Sequence, residues 1–140
     1  MRVREGMSTR ILSVGPGHTL RQAATQMADR QVGAAVVIDP DAIGPGIGTE
    51  RDVLLSLGRG EDPDTELVAD HLTADLVFAG GDWSLEQAAV AMVRGGFRHL
   101  IVIEGGEPAG ILSVRDIVRC WTDDGASCEL PQSPGLARAG

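Results

Sequence analysis

The sequence contains no lysine, and all 12 of its basic residues are arginines. Together with 20 acidic residues they give a formal net charge of -8 at neutral pH. Non-specific binding to nucleic acid or to an anionic membrane surface requires a basic patch, so the composition argues against both partners. A negatively charged ligand would have to be met by arginine or histidine.

Long apolar runs are also missing. The longest, Ala88 to Val93, is far too short to cross a bilayer. Residues 1–6 are charged and no apolar segment follows them, so no secretory signal is predicted and we expect a cytoplasmic protein. Aromatic residues make up 3% of the chain, so its core must be built from aliphatic side chains and methionine.

Few residues have the spacing of a metal site or a catalytic motif. Cys120 and Cys128 form neither a CxxC pair nor a metal-ligand pattern, and we interpret them as free thiols in a reducing cytosol. His18, His71 and His99 are scattered, so no metal site is predicted. No Ser-His-Asp order, nucleophile elbow or phosphate-binding loop occurs, and we expect no catalytic residue and no enzyme.

What the sequence does contain is an internal repeat. Residues 20–27 and 85–92 share the pattern L-x-Q-A-A-x-x-M at a separation of 65 residues. In each copy a hydroxyl residue, Thr19 or Ser84, precedes the helix and a glutamine follows three residues later, which is the pattern of a capping box. The shared leucine, alanines and methionine fall on one helical face, which predicts that this face is buried.

Each copy reads as β-α-β-β-α, with apolar runs bounded by Gly and Pro turns. The strands of the first copy are predicted at 11–14, 34–38 and 47–49, and its helices from Thr19 to a stop at Gly33 and at 50–57. Those of the second copy are predicted at 76–78, 99–103 and 110–113, and its helices at 84–95 and 114–121. A repeat with this period indicates a tandem duplication.

One such unit is too small to bury a sufficient core alone, so we expect the two to share one. The predicted fold class is α/β (α+β), with pseudo-two-fold symmetry between the units. The predicted organisation is repeat 1 at 3–58, a linker at 59–66, repeat 2 at 67–121 and a disordered tail at 122–140.

Both copies close with the same motif. Gly46-Ile-Gly-Thr-Glu-Arg-Asp52 and Gly110-Ile-Leu-Ser-Val-Arg-Asp116 each run from a strand into a helix. With the duplicated units, these motifs resemble a tandem pair of CBS domains, or Bateman module, over about residues 3–121. The likeness is to small stand-alone CBS-pair proteins of actinobacteria that carry no catalytic domain.

That resemblance implies a ligand and the residues that hold it. In family members that bind ligands, clefts between the repeats hold AMP, ADP, ATP or S-adenosylmethionine. Carried over to this chain, Asp52 and Asp116 would hold ribose hydroxyls, and Thr49 and Ser113 would lie near phosphate.

The two clefts should not be equal. Arg98-His99 matches a basic pair that touches phosphate in a nucleotide-sensing member of the family. The first copy has Gly33-Ala34 at that position. We therefore add Arg98 and His99 to the expected ligand-binding residues, with phosphate near the second repeat.

Helix capping is the alternative interpretation of both motifs. An ionised Asp can accept both hydroxyls of a cis-diol, but Thr49-x-x-Asp52 and Ser113-x-x-Asp116 are also ordinary N-cap and N3 pairs. If both carboxylates were spent on main-chain amides and both clefts were filled by side chains, a ligand-sensing role would fail.

We therefore expect a regulatory module, a homodimer that binds an adenine nucleotide or adenosyl ligand and requires no cofactor. The alternative is a ligand-free structural or protein-interaction dimer, such as a stress-response protein that docks an unidentified protein target. The family implies dimerisation, and the small faces Ala23-Ala24 and Ala88-Ala89 would permit close helix approach.

Overall fold

The structure, a computed structural model, describes residues 1–73 and 78–123. Its helices are α1 Val3–Gly6, α2 Leu20–Arg30, α3 Glu50–Gly58, α4 Leu85–Gly95 and α5 Val114–Asp123, with a 3₁₀ helix at Val68–His71. Its strands are β1 Ser13–Val14, β2 Ala34–Val37, β3 Gly46–Thr49, β4 Phe78–Gly80, β5 His99–Glu104 and β6 Glu107–Ser113. The predicted α/β fold class and the order of elements in the two units are confirmed.

Each unit contributes a three-stranded sheet of the same topology. In the first sheet β2 is central, parallel to β1 and antiparallel to β3. In the second sheet β5 is central, parallel to β4 and antiparallel to β6. The register places Ala34 opposite Thr49 and His99 opposite Ser113. The hydroxyl residue of each motif therefore lies beside the first residue of the central strand.

Both predicted capping boxes are confirmed. Gln22 N donates to Thr19 Oγ1 at 3.1 Å, and Thr19 N donates to Gln22 Oε1 at 3.0 Å. The second box, between Ser84 and Gln87, has distances of 3.1 Å and 2.8 Å. These reciprocal bonds satisfy amides that the first turn of a helix would otherwise leave free.

The ends of the two helices differ. α4 ends as predicted, with Gly96 in the left-handed region at φ 70°. The predicted stop of α2 at Gly33 is wrong, because Gln31 takes the left-handed position itself at φ 54° and the helix ends at Arg30.

Several strand boundaries also depart from the prediction. β1 covers only Ser13–Val14, and β6 begins at Glu107, inside the predicted turn. The turn itself is Gly105-Gly106, where both residues have positive φ. α5 extends to Asp123, past the predicted end at 121. The predicted strand residues 76 and 77 and the rest of the predicted tail lie outside the described residues.

Two short segments at the start of the predicted repeats are equivalent to each other. We call residues 1–8 and 66–73 the lead-in segments; their helical turns start at Val3 and Val68, 65 residues apart. Val3 N donates to Trp83 O at 2.7 Å, and Val68 N donates to His18 O at 2.8 Å. Each lead-in therefore packs on the opposite unit, and the two units are crossed over.

The apolar core has three parts. One cluster lies within the second unit and includes Val3 from the first lead-in. Another lies within the first unit and includes Val68 from the second lead-in. The third joins the two sheets, and its buried members are Ala34, Val36, Ile47 and Ile101. The predicted shared core is this third cluster, completed by the crossed lead-ins.

The small faces that were expected to allow close helix approach are turned inward in part. Ala23 and Ala88 are 1% and 0% exposed, because each packs on the core of its own unit, whereas Ala24 and Ala89 are half-buried. The large apolar side chains left exposed on helices include Leu54 and Leu57 on α3 and Val114 and Val118 on α5.

We predict that Ile101→Ala lowers the free energy of unfolding by about 2–5 kcal/mol, because it opens a cavity where the two sheets meet. Ile101 is 0% exposed, whereas Ile43 in the loop before β3 is fully exposed. The same substitution at Ile43 should change stability by less than about 0.5 kcal/mol. Urea unfolding of the two variants tests this, and equal losses would contradict the assignment of a core between the sheets.

Candidate functional site

A cavity with a volume of about 1070 Å³ lies between the two units. One wall comes from β3 and the start of α3, the opposite wall from the end of α4 and the start of β5, and a third part from the second lead-in. The lining residues are Ile47, Thr49, Glu50, Arg51, Asp52, Leu54, Leu55, Leu72, Thr73, Gly95, Gly96, Phe97, Arg98 and His99. Four of the six predicted ligand-binding residues, Thr49, Asp52, Arg98 and His99, line it.

Asp52 caps α3 with one of its two carboxylate oxygens. Oδ2 accepts from Thr49 N at 2.8 Å, from Thr49 Oγ1 at 2.9 Å and from Thr73 Oγ1 at 2.7 Å. None of the hydrogen bonds within residues 1–73 and 78–123 uses Oδ1 of this carboxylate. Capping therefore occupies Oδ2 and leaves Oδ1 as a second acceptor on a residue that lines the cavity.

Thr73 was missed by the sequence analysis. It belongs to the second lead-in, outside the motif, and follows Asp52 by 21 residues. The lead-in is held against β3 because Thr73 N donates to Ile47 O at 2.9 Å. The 65-residue spacing that joins Val3 to Val68 also joins Ser8 to Thr73, so an extension of the repeat search could have found it.

Arg98 and His99 reach the cavity from the other unit. Val114 N donates to Arg98 O at 3.0 Å, just as Glu50 N donates to Gly33 O at 3.0 Å in the first unit. These matching bonds place Arg98 where the first unit has Gly33. The two positions are thus equivalent in their backbone geometry but differ in side chain, as the sequence predicted.

His99 is half-buried near the line where the units meet. A Cβ built on Gly33 would lie 3.4 Å from His99 Cε1, so the ring reaches the first unit. Burial lowers the pKa of His99 below its usual 6.5, opposed by the nearby carboxylates of Glu50 and Asp116 and assisted by Arg98. The imidazole is therefore mainly neutral at pH 7, and Arg98 is the permanent cation of this wall.

Ser113 and Asp116 do not line this cavity. Asp116 Oδ2 accepts from Ser113 N at 2.9 Å, while Oδ1 lies 3.1 Å from Arg119 Nη1. Arg119 also donates to Gly6 O of the first lead-in at 3.3 Å. Both oxygens of Asp116 therefore have partners within the chain, and its role here is to cap α5 and pair with Arg119.

The first lead-in covers the second motif tightly. A Cβ added at Gly110 would lie 2.6 Å from Met7 Sδ and 2.8 Å from Ser8 O. At the equivalent Gly46 the near neighbour is the side chain of Leu72 at 2.7 Å. Both glycines are needed for close packing of a lead-in, so they do not by themselves indicate the approach of a ligand.

The arrangement of two equivalent units agrees with the protein family that the sequence matches. The CBS domain family matches twice, over residues 3–59 and 68–123, and the chain belongs to that family. Both matches begin at the lead-in valines. Pairs of CBS domains are regulatory modules.

Three relatives illustrate the family. The chain is 33% identical over 132 residues to an Arabidopsis thaliana CBS domain-containing protein, covering 94% of this chain but only 23% of that one. A CBS-domain protein of Agrobacterium tumefaciens has 31% identity and a TM-score of 0.76 over 84% of this chain and 91% of its own. A CBS domain protein of Pyrobaculum aerophilum, complexed with AMP, has 28% identity and a TM-score of 0.74 over 83% and 89%.

The helices in the described part of the chain were compared with the requirements of a membrane span. None of the helices there combines the length and the apolar character that a bilayer span requires.

We predict that His99 titrates below the usual histidine pKa of 6.5 and that Glu50→Gln lowers it further, since a carboxylate that favours the imidazolium is lost. Just below pH 6.5, His99 binds a proton less readily in the folded protein than in the unfolded chain. His99 therefore costs stability as pH falls below about 6.5 and costs none well above it.

Imidazole NMR titration and urea unfolding across that pH range measure both effects. Glu86→Gln, in the exposed first turn of α4, is the matched control and should leave the His99 titration unchanged. A His99 pKa above 6.5 in the wild type would contradict the burial that the structure gives this ring.

Proposed function

We propose that this CBS pair is a regulatory module that binds an adenine nucleotide or related adenosyl ligand in the cavity between its units. One observation supports it most strongly. A single cavity of about 1070 Å³ is lined by Thr49 and Asp52 from one unit and by Arg98 and His99 from the other. That space suits a ligand of nucleotide size. The complex of the Pyrobaculum relative with AMP supports the same ligand class.

In this proposal the ligand is oriented by charge. Asp52 Oδ1 accepts the ribose hydroxyls while Oδ2 continues to cap α3, so binding and capping do not compete. Such charge-assisted bonds contribute about 1.5–3 kcal/mol where water is excluded. Arg98 meets the phosphate, and neutral His99 supplies a ring N–H or a lone pair beside it.

The apolar part of the lining suits the base. Ile47, Leu72 and Phe97 contribute aliphatic and aromatic surface to the same cavity. The order sugar at Asp52, phosphate at Arg98 and base on the apolar side separates the ligand's negative charge from the Asp52 carboxylate.

The sequence predicted ligand-binding residues in both motifs, whereas this proposal places a single ligand in each chain. Ser113 and Asp116 were predicted as a second ribose and phosphate pair. With Asp116 tied to Arg119 and covered by the first lead-in, we leave them out of the proposed ligand site. No catalytic step and no resident cofactor is part of this function.

We further propose that the chain forms a homodimer through α3 and α5. Leu57 and Val118 are 49% and 54% exposed, and Val114 lies one turn before Val118 on α5. Exposed aliphatic side chains on two pseudo-equivalent helices are typical of a surface covered by another copy. The alternative function, a ligand-free dimer that docks a protein target, would use the same face. The predicted cytoplasmic location stays a prediction.

We predict that AMP binds with a dissociation constant in the micromolar range, about -8 kcal/mol, in calorimetric titration. Asp52→Asn should weaken binding about 10- to 100-fold, because an amide nitrogen cannot accept a ribose hydroxyl while the amide oxygen can still cap α3. Parallel titrations with ATP, NAD and S-adenosylmethionine rank the ligand class.

Asp116→Asn is the matched control, since it makes the same substitution at the equivalent position outside the cavity. It should leave the AMP affinity within about twofold. Equal weakening by both substitutions, or by neither, would overturn the choice of cavity. If none of these ligands gives a measurable heat of binding, the ligand-free dimer is favoured.

We predict that Val118→Asp shifts the protein from dimer to monomer in analytical ultracentrifugation, because a carboxylate would have to be buried at the interface. Ile43→Asp places the same charge on an exposed loop residue and should leave the sedimentation unchanged. A dimer that survives Val118→Asp would rule out the α5 face.

A further inference from the structure

A second cluster of charged side chains lies outside the cavity, where the end of α3 meets the second lead-in. One ligand-type atom each from Glu61, Glu66 and His71 lies within 4.8 Å of the other two. His71 Nε2 is 3.8 Å from Glu66 Oε2, and those side chains are 11% and 29% exposed. None of the three residues lines the nucleotide cavity.

The backbone fixes all three positions. Glu61 N donates to Ser56 O at 3.2 Å, which turns the chain back over the end of α3. The carbonyl of Glu66 accepts from Leu20 N at 2.9 Å, and His71 ends the 3₁₀ helix. Three separate attachments thus bring the side chains together, which favours a preorganised site over a chance encounter on a mobile surface.

Two polar atoms at this place lack hydrogen-bond partners. Ser56 is 0% exposed, and its Oγ has no partner within the described residues. The same holds for Oε1 of Glu61, which is itself shielded from solvent. Ser56 and Glu61 are neighbours in space, since Ser56 O accepts from Glu61 N. Buried polar atoms are normally satisfied, so this pair indicates a missing partner.

The two carboxylates and the imidazole converge on one place, because a ligand-type atom of each lies within 4.8 Å of the other two. A divalent cation there would accept a lone pair from each of the three side chains.

We propose that Glu61, Glu66 and His71 bind a divalent first-row transition-metal ion, with Zn²⁺ as the test ion. An imidazole nitrogen with two carboxylates favours such an ion over Mg²⁺ or Ca²⁺, which prefer sites made of oxygen alone. Three protein ligands leave a position for water. Glu61 Oε1 and the Ser56 hydroxyl, both without a partner among the described residues, are polar atoms that such an ion or its water could satisfy.

Sequence spacing gave no hint of this site. The histidines were considered against one another, whereas His71 joins two glutamates that lie 5 and 10 residues earlier in the chain. The turn after α3 and the 3₁₀ helix bring them together. The prediction of no metal site weighed only the histidines against one another.

The test is titration of chelator-treated full-length protein with ZnCl₂, followed by calorimetry, with MgCl₂ in parallel. We expect one Zn²⁺ per chain, no comparable binding of Mg²⁺, and a rise in the thermal midpoint with Zn²⁺. Glu61→Gln and His71→Asn should each weaken Zn²⁺ binding by at least about 100-fold, since even outer-shell changes cost about 10- to 100-fold.

Glu86→Gln, remote on α4, is the matched control and should bind Zn²⁺ like the wild type. A Co²⁺-substituted sample should lack thiolate charge-transfer bands, which separates this site from adventitious cysteine binding. Circular dichroism and the metal-free thermal midpoint establish that each variant is folded. Absent Zn²⁺ binding, equal binding by both site variants and the wild type, or a thiolate spectrum would each overturn the proposal.

Discussion

The exchange of lead-in segments is the constraint on which the rest of this molecule depends. Val3 is buried in the second unit and Val68 in the first, and each is fixed by a backbone bond to the same relative position. Neither unit can complete its own apolar core, so the two are locked together as they fold. The sheets then meet across a layer of Val36, Ile47 and Ile101, and the cavity forms beside that layer.

Pseudo-symmetry explains both the likeness and the difference of the two motifs. Asp52 and Asp116 each cap a helix through Oδ2, so capping is common to both. Their remaining oxygens differ: Asp52 lines the open cavity and its Oδ1 has no partner among the described residues, while Oδ1 of Asp116 pairs with Arg119. Capping and ligand binding were considered as alternatives, but the Asp52 carboxylate has one oxygen for capping and a second one for a ligand.

Much of the fold could be predicted from sequence because duplication doubles every local signal. The capping boxes at Thr19 and Ser84 and the order of strands followed from side-chain types and spacing. The end of α2 did not, since Gln31 adopts a left-handed conformation that glycine usually supplies. Side-chain partners across the units could not be predicted either. Whether Asp116 faces a ligand or Arg119 depends on tertiary packing that no local pattern records.

The crossed lead-ins also bear on how such a chain could be divided. Half of this sequence, cut between the units, would carry a lead-in whose valine has nowhere to pack within that half. Two copies of one half could still satisfy each other by trading lead-ins around a true two-fold axis, which is a domain swap. The covalent pair holds that arrangement within one chain, and it frees the two lead-ins to diverge. His71 now stands where the other segment has Gly6.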